Sequence, residues 1–356
     1  MTVKPAPFPP VRVVSGPAFE LIAELAAFTS GPARASLESG KQWIREVRAL
    51  AGPELIRRVE GWGISLFAEL VSLALDAGPP YEPARLVQHL RATRPAALRR
   101  RLLGAESVPN RAMVSDGAFE RALAGDARAR AEVRRALGAD TASRRSVDRL
   151  LTAAPASVRE DLASIVEAWA VRVLPAFWDR AATLIERDVE PKEGLLHVTG
   201  PRDALRVFTN GVDVDPSDWA TEVVVVPTVA MRPFIVPMET GERLILLCSV
   251  ADESFDIDPS APPRRLVQVA TALGDELRLR ILHELARGEA SATELAERLG
   301  MDRTSLHHHL GILRSAGLVA VKAQGVHSWR YSLRADSVAG AGAALAGYLG
   351  TERPRA

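Results

Sequence analysis

The chain holds a single cysteine, Cys248, in 356 residues. A lone thiol excludes an internal disulfide and any cysteine-cluster metal site. Its surroundings, LILLCSV, predict a small buried hydrophobe in a strand. Lysine is almost as scarce, with only Lys4, Lys41, Lys192 and Lys322 among 45 basic residues. Together with abundant alanine, that bias suggests a GC-rich genome and carries little functional meaning. Neither sign of charge dominates, since 44 acids leave a net charge of +1. Nucleic-acid binding would therefore need local segregation of charge. No apolar run approaches the roughly 20 residues needed to span a bilayer. The leader MTVKPAPFPP lacks the apolar centre of a signal peptide, and a cytoplasmic protein without membrane contact is expected. P-loop, GxSxG, HExxH and dinucleotide-binding patterns are missing as well, so neither catalysis nor a cofactor is expected.

What remains is an ordinary globular composition, 47% hydrophobic and 25% charged, with length for two or three cored domains. Val11–Val14 reads as one short strand. Helical periodicity follows in AFELIAELAAF, where Leu21, Leu25 and Phe28 share a face, and continues from Leu37 to about Ala77. The apolar half of GPELIRRVEGWGISLFAELVSLAL is expected at the centre of the core. Pro83–Leu103 is helical and ends basic, with Arg91, Arg94, Arg99, Arg100, Arg101 and Arg111 against one acid, Glu106. A solvated helix face is the favoured reading there, and a second nucleic-acid patch the alternative. Gly117–Leu137 and Thr152–Val189 continue in helical style. Five of six tryptophans precede residue 220, and large apolar side chains of this kind usually build core.

From about Gly194 the period changes. GLLHVTG, ALRVFTNGV, TEVVVVPTV, MRPFIVPM and GERLILLCSV are short, β-branched and broken by Gly, Pro and Asp, which are strand signals. The fold class expected is α+β: a mainly helical N-terminal domain with a small β part over residues 1–258, and VRVV as a candidate for the same sheet. A proline-rich linker over 259–264 (PSAPPR) is expected to act as a stiff spacer. Residues 265–335 read as a winged helix-turn-helix, and 336–356 as a C-terminal helix and tail.

The most informative stretch is Ser291–Leu318, SATELAERLGMDRTSLHHHLGILRSAGL. Ser291 with Glu294 forms a capping-box pattern, and Asp302 is placed to cap the second helix. Helix, tight turn and helix of this length is the arrangement whose second helix enters a DNA major groove. Arg264–Leu273 and Glu276–Arg287 precede it as helices, with Asp275 as a cap and Leu277, Ile281 and Leu285 as an inward stripe. Leu318–Lys322 and Ser328–Leu333 flank Gln324-Gly325 as a hairpin. In Asp336–Leu349, Val338, Ala341, Leu345 and Leu349 make a narrow stripe suited to a neighbouring helix, including one in a second subunit.

On a wheel of 100° per residue, Leu306, Leu310 and Leu313 turn inward and Thr304, His308, Gly311 and Ser315 turn outward. Reading base edges needs hydrogen-bonding side chains near the helix N-terminus, with phosphates gripped around it. Thr304, Ser305, His307 and His308 are the candidates for the first task. Arg303, Arg314 and the wing residues Lys322, Gln324, His327 and Arg330 are the candidates for the second. His307, His308 and His309 diverge by 100° steps and cannot converge on one ion, so no metal site is expected. His309 and His283 read as structural. Residues 264–335 carry eleven Arg/Lys against seven Asp/Glu, a local +4, as counterion release requires.

In ALGDELRLRIL, ELAERLGMDRTSLHHHL and LRSAGLV, in that order over about residues 265–335, the sequence resembles the ArsR/SmtB-type winged-helix repressors. The layout also resembles actinobacterial members with a long N-terminal domain. The resemblance implies a homodimer on a pseudo-palindromic operator in double-stranded DNA, with repression relieved by an inducer. The chain departs from metal-sensing members: GEASATEL has no cysteine, and the last helix lacks acidic and histidine pairs. A small-molecule or protein effector acting at the N-terminal domain is therefore expected. The wing tip, AQGVH, is also less basic than the family's usual one. Two rivals stand beside this reading: an enzyme with a winged-helix targeting module, and a winged helix that docks a protein. The local charge and the polar groove face count against the second.

Overall fold

The computed structural model describes residues 8–30, 37–62, 65–138, 141–210, 212–213, 216, 220–255, 261–323 and 329–350. The chain forms two compact units, and the division is not the one expected. One unit is Met1–Glu190 with Pro216–Ser249, and the other is Pro191–Asp215 with Val250–Ala356. Instead of a single boundary at 258, residues 191–215 group with the C-terminal residues, where the Asn210 side chain and the backbone of Val212 and Asp213 are bonded.

The first unit begins with β1 (Val11–Val13) and α1 (Pro17–Thr29). The helices α2 (Gly40–Glu60), α3 (Ser65–Ala77), α4 (Pro83–Ala92) and α5 (Pro95–Leu102) follow. Then come α6 (Val108–Ala112), α7 (Ala118–Ala124), α8 (Ala127–Leu137), α9 (Thr141–Thr152) and α10 (Pro155–Arg172). The chain leaves this unit within α11 (Trp178–Thr199). It returns as β3 (Glu222–Thr228), β4 (Val236–Thr240) and β5 (Arg243–Ser249), after α12 (Pro201–Phe208) and β2 (Val212–Asp213) in the other unit.

The sheet order is β1-β3-β5-β4, with β1, β3 and β5 parallel and β4 antiparallel to β5. The early VRVV strand thus joins the sheet. Val223–Val226 and Leu244–Cys248 are buried, which is why these strands read as unbroken apolar runs. Helix α1 is buried from Ala18 to Phe28, including two acids. Glu20 accepts the amides of Val229 and Ala230 at 3.0 and 2.9 Å, and Glu24 accepts Trp169 Nε1 at 2.7 Å. Trp43, Trp62 and Trp169 are core residues. The basic stretch is largely engaged within the unit. Arg91 pairs with Glu160 and Glu167, Arg100 with Glu106 and Glu120, and Arg101 with Glu69 and Asp76, while Arg99 donates to Ala153 O.

Two of the expected strands are helical. GLLHVTG ends α11, and ALRVF lies in α12. Ala204, Leu205 and Phe208 are buried while Val198 and Val207 are exposed, so the apolar positions of α12 follow helical spacing. MRPF is a turn, and β4 begins only at Val236. Among the described residues, no helix is long and apolar enough to cross a membrane.

The second unit contains α12, β2, α13 (Arg264–Leu273), α14 (Glu276–Ala286), β6 (Ala290–Ser291) and α15 (Ala292–Leu299). It closes with α16 (Arg303–Ser315), β7 (Val319–Ala323), β8 (Trp329–Leu333) and α17 (Ala335–Tyr348). The expected hairpin is the centre of a four-stranded sheet, β2-β7-β8-β6, in which β2 runs parallel to β7. The unit starts before the proline stretch. Gln268 Nε2 donates to Asp252 Oδ1 at 3.1 Å, and Arg264 stacks 4.4 Å from the Phe255 ring centroid. These contacts tie α13 to residues 252–255 across the expected spacer, of which 259 and 260 lie outside the described residues.

Candidate nucleic-acid interface

The capping chemistry read from the sequence is in place. Ser291 Oγ accepts the Glu294 amide at 3.2 Å, and Glu294 accepts the Ser291 amide at 2.6 Å, so both groups start α15. Asp302 Oδ1 accepts the Ser305 amide at 2.9 Å and starts α16. Gly300, between the two helices, is left-handed at φ +64°, a conformation in which glycine carries no Cβ penalty. Asp275 caps α14 through the Arg278 amide at 2.9 Å. That bond, followed by smaller charge contributions including Arg278 and His309, holds the Asp275 carboxyl below its ordinary range.

Helix α16 presents two contrasting faces. Leu306, Leu310 and Leu313 are buried against Ile281, Leu285, Leu295 and Leu318. Ser305, His307 and His308 are exposed, and Gly311 and Ser315 are half-buried. Arg303 and Thr304 occupy the first turn of the helix. His308 and His309 stand edge to face with ring centroids 5.9 Å apart. His309 is half-buried, with Nδ1 3.8 Å from Asp275 Oδ1. Among the described residues no three His, Cys, Asp or Glu gather as metal ligands.

The phosphate-gripping candidates separate. Lys322 is exposed on β7, between the buried Val321 and the outer end of the strand. Arg314 is half-buried near Tyr331, where burial lowers the guanidinium pKa and raises that of the phenol. Arg330 donates to Glu289 O at 2.7 Å and lies 3.7 Å from the Glu294 carboxylate, so its guanidinium is held over the start of α15. Gln324 and His327 lie outside the described residues.

Around the helix-turn-helix, two expectations change. Leu277 is 37% exposed, and Leu282 takes its place inside because α14 turns its Ile281–Leu285 side toward α16. His283, read as structural, is exposed. On α17, Val338 and Ala341 pack against the core of the unit, whereas Leu345 and Leu349 are 47% and 59% exposed.

Sequence reasoning missed Asn210. Its Nδ2 donates to the carbonyls of Arg314 and Ser315 at 3.3 and 3.2 Å, and its Oδ1 accepts from Arg334 at 3.0 Å. The only local sign was an Asn-Gly pair, which reads as a turn. Nothing in that pair says that it meets a helix about a hundred residues further on.

Residues 273–322 match a family described as a helix-turn-helix domain. A relative, the HTH-type transcriptional regulator NmtR of Mycobacterium tuberculosis (strain ATCC 25618 / H37Rv), is 42% identical over 66 residues, covering 17% of this chain and 55% of that protein. The chain thus spans about half the length of the relative it matches. The C-terminal part of the chain carries a helix-turn-helix domain behind a long N-terminal region.

Proposed function

We propose that the chain is a DNA-binding transcriptional regulator, a repressor that acts as a homodimer on a pseudo-palindromic operator. The observation that carries this reading is α16 itself. It is the second helix of the matched motif, its leucines are buried, and Ser305, His307 and His308 stand exposed near its N-terminus. Such a surface fits a major groove, where base edges offer donors and acceptors to short polar side chains. Thr304, Ser305, His307 and His308 read bases; Arg303 and Lys322 hold phosphates, with Gln324 and His327 at the wing. Arg314 and Arg330 are assigned to folding rather than to phosphate, since one is half-buried and the other is bonded to Glu289 O.

Leu345 and Leu349, exposed one turn apart on α17, are assigned to the contact between subunits. The N-terminal unit is assigned to sensing a small-molecule or protein signal that releases the DNA, in the cytoplasm. The test is selection by the purified full chain from a pool of random duplexes. Enrichment of two inverted half-sites about 10 base pairs apart is the expected result. A pool that stays random overturns the reading.

A further inference from the structure

The C-terminus of α16 is completed from outside the helix-turn-helix. A helix leaves its last carbonyls without intrahelical partners. At this end Leu318 N bonds Leu313 O at 3.0 Å and Gly317 N bonds Arg314 O at 2.9 Å, with Gly317 at φ +67°. That is a Schellman turn, which leaves the carbonyl of the final helical residue, Ser315, to be satisfied otherwise. Asn210 Nδ2 reaches Ser315 O at 3.2 Å and shares Arg314 O at 3.3 Å.

The amide is held in turn. Arg334 donates to Asn210 Oδ1 at 3.0 Å while its own backbone amide bonds Leu318 O at 3.0 Å. Asn210 adopts φ +47°, a left-handed conformation that asparagine tolerates better than most residues. Two residues later the backbone enters β2, pairing Val212 with Val321 and Asp213 with Lys322. Close fit is evident at Gly317, where an added Cβ would lie 2.7 Å from Asn210 Oδ1. One short segment therefore bonds the end of α16 and the strand bearing Lys322, and it lies outside the matched residues 273–322.

We infer that Asn210 is a positioning residue for DNA reading: it fixes the last turn of α16 against β7, so that the helix and Lys322 meet DNA in one geometry. The inference rests on the DNA-binding reading above. It makes the 201–213 segment part of the reader, although it precedes the helix-turn-helix by some sixty residues.

The test uses the full chain, a duplex selected from the random pool by the unaltered protein, and two variants. Asn210→Gly keeps the backbone conformation and removes the amide. Asn210→Asp keeps an acceptor for Arg334 and removes both donors to the helix. Both are expected to bind the selected duplex roughly tenfold more weakly, the equivalent of one to two hydrogen bonds. Amide hydrogen exchange is expected to quicken across 313–322 and to stay unchanged in α14 and α15. If both variants bind as tightly as the unaltered chain, the inference is overturned. Exchange that quickens evenly over residues 264–349 also overturns it, because the loss would then be general instability. If the unaltered chain selects no duplex, the DNA-binding reading itself has failed and this inference falls with it.

Discussion

Ser291 and Glu294 each bond the other's backbone amide, at 3.2 and 2.6 Å, and so close the first turn of α15 from both sides. Removing one partner leaves a helix N–H unsatisfied. Ser291→Ala is expected to destabilise the second unit by about 1 kcal/mol, read as a lower midpoint in urea unfolding with an unchanged slope. The Glu294 carboxyl is held below its ordinary range, first by the Ser291 amide. Its contribution is therefore present above that range and fades as pH falls through the folded value. Glu294→Gln should show less loss of stability on acidification than the unaltered chain.

Glu20 behaves in the opposite sense. Burial pushes its carboxyl up to about 7, outweighing the two amides it accepts from Val229 and Ala230. Glu24, one turn on, is raised too, by burial and then by Glu20. A carboxyl that is harder to ionise in the fold binds more protons there than in the unfolded chain. Its contribution is complete below the unfolded pKa of about 4.5 and is lost as pH rises toward 7. For Glu20 alone the change is on the order of 3 kcal/mol. Glu20→Gln is expected to flatten the fall in stability between about pH 5 and pH 7, measured by denaturant midpoints across pH. An unaltered slope would mean that Glu20 ionises freely.

Gly317→Ala places a Cβ 2.7 Å from Asn210 Oδ1 at φ +67°. The left-handed backbone alone costs an alanine about 1–2 kcal/mol. The variant should unfold at lower urea than the unaltered chain. If Asn210 is the close neighbour, combining it with Asn210→Gly should cost less than the sum of the two single changes.

Lys322 and Arg330 stand opposite each other on β7 and β8 but are differently engaged. Lys322→Ala should weaken binding to all duplexes and reduce the salt slope by about 1. Arg330→Ala should lower stability instead, by releasing Glu289 O, and leave the salt slope unchanged. His308→Ala should cost roughly 1–3 kcal/mol of discrimination between the selected duplex and a scrambled one. Titrations at several salt concentrations separate these outcomes.

Much of the reader was legible because its signals are local. Ser291, Glu294, Asp302 and the Leu306–Leu310–Leu313 spacing each act within four residues, and the structure has all of them as expected. Periodicity failed where the run was short. GLLHVTG and ALRVF hold β-branched residues, yet Val198 and Val207 are simply exposed positions of helices. The arginines at 91, 100 and 101 read as a solvated basic helix face because their acids, Glu160, Glu167, Glu120 and Glu69, are distant in sequence. Asn210 was hidden for the same reason, since its partners Arg314 and Ser315 are more than a hundred residues away.

The central claim, that α16 reads DNA, is tested most directly by photo-crosslinking the full chain to its selected duplex carrying 5-iodouracil, then mapping the attached peptides. Attachment within 303–315, with further attachment near Lys322, is the predicted result. Attachment confined to α1–α10, or none at all, would contradict it.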